Sequence, residues 1–165
     1  MRPTPLSLDH ITQTLFLLRA TIPEAYRDEN GHMNVRWYMS LYDDAGYPLI
    51  DTLGLTLAYH AQHGTGGFDL EHHLHYLNEV HVGDTVAVYA RLVGRSAKRI
   101  HYLMFMVNET RHTLASIYEC VNSFADLRTR KTAPYPPEIA VQIDSVLAQH
   151  EVLEWDAPIC GIMGA

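Results

Sequence analysis

The sequence predicts an α+β fold in which one long central helix is wrapped by a curved antiparallel sheet of about five strands, with a shorter helix near the C-terminus. Three observations carry this reading. Apolar residues recur at helical spacing between about Asn34 and Leu53. Four strand-like segments then follow one another from Phe68 to Phe124, and the connections between them are short turns of the hairpin kind.

The first element is Leu15–Ile22, a short apolar strand that Pro23 ends. A polar turn, Tyr26-Arg27-Asp28-Glu29-Asn30-Gly31-His32, leads into the long helix, with Asn34 as its N-cap and Gly54 as its stop. Tyr38, Leu41, Tyr42, Ala45 and Leu49 fall on one face, and Ser40, Asp43, Tyr47 and Asp51 form the polar side. Pro48 has no N–H for the carbonyl of Asp44, so a kink or an end is expected there. His63-Gly64-Thr65-Gly66-Gly67 reads as a loop. The strands are Phe68–Val80, Asp84–Val93, Lys98–Val107 and Thr113–Phe124, joined through Gly83-Asp84, Gly94–Ala97 and Asn108–His112. A second helix, about Pro137–Gln149, places Ile139, Ile143, Val146 and Leu147 at helical spacing, and the tail after His150 has no clear structure. The expectation is one domain over residues 1–165, with a core at about 15–126 and a C-terminal helix and tail at 137–165.

A chain of 165 residues can close a core without disulfides or a metal. A formal charge of −7 argues against a general affinity for nucleic acid, which rests on Lys and Arg at phosphates. Cys120 and Cys160 are far apart in sequence and read as buried or idle thiols. The apolar stretch Leu15–Leu18 is far too short for a membrane span or a signal-peptide core, so the cytoplasm is the expected compartment, with no membrane partner. No metal and no cofactor is expected.

The most informative stretch is Asp28-Glu29-Asn30-Gly31-His32-Met33-Asn34, followed by Tyr38 and the acidic pair Asp43-Asp44. It resembles the signature of hotdog-fold acyl-CoA thioesterases of the 4-hydroxybenzoyl-CoA thioesterase type, and the likeness extends over roughly Leu15–Asp126. Phe68-x-x-Glu71-x-His73-x-x-Tyr76-x-x-Glu79, Gly83-Asp84 and Lys98-Arg99-x-His101 look like the subgroup containing betainyl-CoA thioesterases of carnitine metabolism. The resemblance implies hydrolysis of a small acyl-CoA by a homo-oligomer, a dimer or a dimer of dimers.

The residues suit that chemistry. Thioester hydrolysis needs a carboxylate as general base or nucleophile and a donor for the oxyanion. Asp28 stands in a loop just before a helix, whose first N–H groups lack intrahelical acceptors. Gly31 lets the backbone approach a substrate, and Met33, Trp37 and Tyr38 are further candidates to line its site. The plainer reading is a polar turn with Asn34 as a helix cap. His32 either orients the loop or faces the substrate. Glu71, on one strand face with His73 and His75, is the second candidate carboxylate. Arg95, Lys98 and Arg99 are candidates for the phosphates of coenzyme A, and Arg128, Arg130 and Lys131 form a second basic cluster; both also read as solvated charged turns. Trp37, Tyr38, Tyr42, Tyr47 and Tyr59, beside Asp43 and Asp44, suggest an aromatic cage for a cationic acyl group.

Two other readings compete. A hotdog domain can bind acyl-CoA without hydrolysing it. Gly67-x5-His73-x-His75-x3-Glu79 also reproduces the first metal-binding motif of cupins, but the second motif is absent and a long helix before the strands fits that fold poorly.

Overall fold

The computed structural model describes residues 6–165. A short helix α1 (Leu8–Ile11) precedes strand β1 (Leu15–Thr21), a 3-10 turn (Glu24–Tyr26) and the long helix α2 (Val35–Thr52). Helix α3 (Leu57–His63), strands β2 (Thr65–Tyr76), β3 (Thr85–Arg95), β4 (Arg99–Asn108), β5 (Thr113–Asp126) and β6 (Lys131–Thr132), and helix α4 (Pro137–Glu151) follow. The sheet has the order β1-β3-β4-β5-β2, with β6 paired to β5. Its β1–β3 pair is antiparallel, and the register shifts between Phe16 and Leu18. No helix among the described residues is long and apolar enough to cross a membrane.

The chain divides into two compact units. The first holds the chain up to Pro48 with Leu74–Ala90 and Met104–Tyr118. Its core is built on α2, where Tyr38, Leu41, Tyr42 and Ala45 are all buried, as the helical spacing requires. Tyr42 stacks on Tyr118 with ring centroids 5.0 Å apart, and its hydroxyl lies 2.7 Å from the Ser116 hydroxyl, so a fully buried phenol is satisfied. In the same unit Asp84 accepts three hydrogen bonds on Oδ2, from His81 N–H, Asn108 Nδ2 and Arg111 Nε, at 2.9, 2.8 and 2.7 Å. This knot fixes the turn before β3, and Met33 N–H donates to the Val80 carbonyl just upstream at 2.7 Å.

The second unit holds Leu49–His73, Arg91–Leu103 and the chain from Glu119 onward. The end of α2 lies here, and Gly54, at φ +79°, stops it as expected. The helix does not end at Pro48 but runs through it to Thr52. The missing N–H deprives only the carbonyl of Asp44, an exposed residue that water can serve. Helix α3 was not legible as an element; Thr56 caps it by accepting the Tyr59 N–H at 3.0 Å. The expected loop at 63–67 is instead a helix stop at Gly64 and the start of β2. Gly66 and Gly67 are there for close approach: an added Cβ would meet Leu127 at 3.2 Å and Asn122 at 3.1 Å. Helix α4 buries Ile139, Ile143 and Val146, and His150 rather than Leu147 completes the face. The tail beyond α4 is held by Arg91, which donates to the Trp155 carbonyl at 2.7 Å and lies 4.2 Å from its ring.

Candidate active site

The polar turn before α2 is a closed hydrogen-bonded loop. Asp28 N–H donates to the His32 carbonyl at 2.9 Å and Gly31 N–H to the Asp28 carbonyl at 3.2 Å. Gly31 takes φ +90°, a region costly for a residue with a Cβ, so its first role here is the turn itself. Asn34 N–H donates to the Tyr26 carbonyl at 2.8 Å, and Arg27 bridges Met33 across the loop. The plainer reading of a turn and a cap is therefore correct as geometry.

The loop also presents a carboxylate. Asp28 Oδ1 accepts the Asn30 N–H at 2.8 Å. Its Oδ2 lies 3.5 Å from His32 Nδ1, and the Asp28 side chain is only 8% exposed. Burial alone would raise the Asp28 pKa, but the bond from Asn30 and the neighbouring His32 outweigh it, and the carboxyl is held below its ordinary value. Asp28 is thus ionised at neutral pH. His32 Nδ1 also lies 3.3 Å from the Met33 carbonyl. With acceptors on two sides, the ring proton belongs on Nδ1, and His32 braces the loop as well as lining the cavity.

That cavity, of about 320 Å³, is lined by Asp28, His32, Met33, Asn34, Val35 and Tyr38 on one side of the sequence and Tyr76, Leu77, Asn78 and Glu79 on the other. Tyr38 is buried, its ring edge-on to Tyr76 with centroids 5.1 Å apart. Burial first, then Tyr76 and Glu79, push the Tyr38 hydroxyl up to about 12 against a bond with the Val80 backbone. It stays protonated and can donate. Asn34 caps α2: its Oδ1 accepts the Arg36 N–H at 3.1 Å and its carbonyl the Trp37 N–H at 3.0 Å. Two of the helix's first donors are therefore taken, and Val35, at the first helical position, where an N–H has no intrahelical acceptor, also lines the cavity.

Of the candidates read from the sequence, the cavity gathers Asp28, His32, Met33, Asn34 and Tyr38, and Gly31 shapes the loop beside it. Trp37 does not line it. One face of Trp37 stacks on Tyr26 at 3.9 Å, and the Arg36 guanidinium lies 4.7 Å from the ring. Tyr42 is sealed in the core and Tyr59 stacks with His63 at 4.3 Å, so the five-ring cage does not form. Glu71 is exposed on β2 and does not line the cavity. Arg95 pairs with Asp144 of α4, while Lys98 and Arg99 are exposed at the turn between β3 and β4. Arg128 pairs with Asp126, and Arg130 lies 5.8 Å from the Phe68 ring. Lys131 lies in β6, a two-residue strand with no signature of its own. Asn78 and Leu77 were missed as cavity residues. Tyr76 and Glu79 stood in the strand motif, but nothing in their spacing showed which way they would face.

Residues 24–143 match the family model described as the thioesterase-like superfamily. The chain belongs to that superfamily. Among its relatives, an L-carnitine dehydrogenase/betainyl-CoA thioesterase of Agrobacterium fabrum is 31% identical over 83% of this chain and 28% of its own length. A betainyl-CoA thioesterase of Pseudomonas aeruginosa is 24% identical over 87% of this chain and 90% of its own. The chain thus spans little more than a quarter of the bifunctional relatives it matches. A hypothetical protein of Staphylococcus aureus, solved in complex with CoA, superposes with a TM-score of 0.82 at 21% identity, covering 98% of this chain and 99% of the other. The hotdog fold expected from the loop motif is the fold of this thioesterase-like chain.

Proposed function

We propose that this chain is an acyl-CoA thioesterase that hydrolyses a small acyl-CoA to the free acid and CoA, with Asp28 as general base or nucleophile. The observation that carries the reading is an ionised, hydrogen-bonded carboxylate on a cavity that also holds the first residue of α2. A thioester carbonyl at the Val35 N–H is polarised by a donor backed by the helix dipole, and Tyr38 is a second donor within the same cavity. Asp28 either takes a proton from a water that attacks the carbonyl carbon, or attacks it directly to form an anhydride that water then hydrolyses; in both, the CoA thiolate leaves and the free acid and the Asp28 carboxylate are the end state. His32 keeps the loop in register. Glu71 is the alternative carboxylate, and Arg95, Lys98 and Arg99 are the candidate phosphate contacts.

The acyl group in this reading is small and cationic. The CoA-thioesterase relatives named for betainyl-CoA support it, as do Tyr38, Tyr76, Asp28 and Glu79, which combine ring surface with negative charge in one cavity. The active form is a dimer or a dimer of dimers. β2 stands at the end of the strand order and is exposed along most of its twelve residues, with Phe68, Leu70 and Tyr76 uncovered, an edge of the kind that pairs with another chain. A cytoplasmic location belongs to the same reading.

The test is thiol release from a panel of purified acyl-CoAs. Saturable hydrolysis of one class, lost in Asp28→Asn, establishes the function; tight acyl-CoA binding with no thiol release refutes it in favour of a binding protein.

A further inference from the structure

We propose that His73, Glu119 and Cys160 form a zinc site that clips the C-terminal tail to the sheet. His73 stands on β2, Glu119 in the middle of β5 and Cys160 in the tail, all within the second compact unit. Their candidate ligand atoms, an imidazole nitrogen, a carboxylate oxygen and a thiol sulfur, all lie within 4.8 Å of one another. Around a tetrahedral zinc ion, bonds of roughly 2.0–2.3 Å put ligand atoms roughly 3.3–3.8 Å apart. Small rotations of His73 and Cys160, the two that are not buried, close that difference.

The anchor is Glu119, a carboxylate with 1% of its side chain exposed. Its Oε1 accepts from His101 Nε2 at 2.8 Å, and its Oε2 accepts from the Cys160 backbone N–H at 2.8 Å. A buried carboxylate needs a compensating positive charge. A divalent ion supplies it, and His101, itself buried, then acts as the outer partner that orients the ligating carboxylate. The backbone bond from Cys160 to Glu119 already brings the thiol to the place where it would ligate. One nitrogen, one oxygen and one sulfur match zinc, which accepts all three, better than magnesium or calcium, which take oxygen. On binding, the Cys160 thiol gives its proton to solvent, and water fills the fourth position on the open side at His73.

This site differs from the metal motif considered in the sequence, since it uses His73 without His75 or Glu79. It also gives a role to Cys160, which the sequence had left idle. The clip is structural, and the readout is metal content and stability rather than turnover.

The experiment uses the full chain, purified under reductant and freed of metal by a chelator. Zinc is added back and followed by metal analysis after gel filtration and by thermal denaturation, with Co²⁺ as a spectroscopic probe. The expected result is about one zinc per chain and, with free zinc at about a hundredfold Kd, a Tm roughly 5–10 °C above that of the apo protein. Co²⁺ gives a thiolate charge-transfer band. Cys160→Ser removes the band and the Tm rise while leaving the apo Tm within about 2 °C of wild type. His73→Ala, at an exposed position, lowers zinc affinity by about tenfold or more. Zinc retention that is absent, or that Cys160→Ser leaves unchanged, overturns the proposal and assigns any residual binding to the other histidines.

Discussion

Replacing Asp28 by Asn separates the chemistry of the loop from its structure. The amide oxygen can keep the 2.8 Å bond from the Asn30 N–H, and the backbone bonds between Asp28, Gly31 and His32 do not involve the side chain. The amide nitrogen takes the place of Oδ2, 3.5 Å from His32 Nδ1, and meets that N–H donor to donor; the ring keeps the Met33 carbonyl at 3.3 Å as its acceptor, so the cost to the fold is small. The variant is expected to fold with a Tm close to wild type. What it loses is the ability to accept a proton or attack a carbonyl, typically a factor of about 10²–10⁴ in kcat, or about 2.7–5.4 kcal/mol of barrier. The pH dependence adds a signature. Because hydrogen bonds and His32 hold the Asp28 carboxyl below its ordinary value, wild-type kcat/KM has no acid limb from this group until pH falls below the usual carboxylate range. Thiol release, read with a chromogenic disulfide from pH 4 to 8, measures both quantities. Turnover of Asp28→Asn within about tenfold of wild type would refute the assignment, and a parallel loss in Glu71→Gln would move the base to β2.

Three further outcomes are expected. Asp84→Ala leaves the buried Asn108 amide without its acceptor, while Arg111, whose side chain is half exposed, turns to water; the cost is about 1–3 kcal/mol, lowering Tm by roughly 2–12 °C in a thermal melt; since the folded-state pKa of Asp84 is lowered, its contribution is complete above the unfolded value and is lost as pH falls through the folded one, so wild type and variant converge in acid. Leu70→Lys, which places a charge on the exposed edge strand, shifts the chain toward monomer in light scattering at micromolar concentration, and an unchanged mass would show that β2 is not the interface. Betainyl-CoA is turned over faster than 3,3-dimethylbutyryl-CoA, its neutral isostere, and Tyr76→Leu reduces that preference through KM by about two- to thirtyfold; equal rates for the two substrates would remove the cationic assignment.

The long helix was legible because one face of Tyr38, Leu41, Tyr42, Ala45 and Leu49 is regular, and both of its ends carry local signals in Asn34 and Gly54. The Asp28 loop was legible because its residue types are forced: a turn glycine at φ +90°, a cap and a carboxylate in a row. What the sequence concealed were features set by neighbours distant in the chain. Gly66 and Gly67 look like a loop until the side chains of Leu127 and Asn122 are seen against them. Trp37 looks like a ligand platform until Tyr26 covers it. Pro48 looks like a helix breaker, yet it frees only one carbonyl, at an exposed residue. Helix α3 has neither a long periodic run nor a buried residue, so no pattern of period 3.6 could announce it.

The strand end that completes the cavity has a consequence for how such a site can change over time. Leu77 and Asn78 are attached through their backbone N–H groups, both of which reach the Ala115 carbonyl, and through the Asn78 amide on the Leu114 carbonyl. Side chains at Tyr76, Leu77 and Glu79 can therefore be exchanged without loosening the segment that carries them. The Asp28 loop has no such freedom, because its own side chain, its glycine and its cap are the bonds that hold it. On the proposed function, substrate choice and hydrolytic competence rest on separately mutable parts of one small cavity, and selection can retune the first while leaving the second untouched.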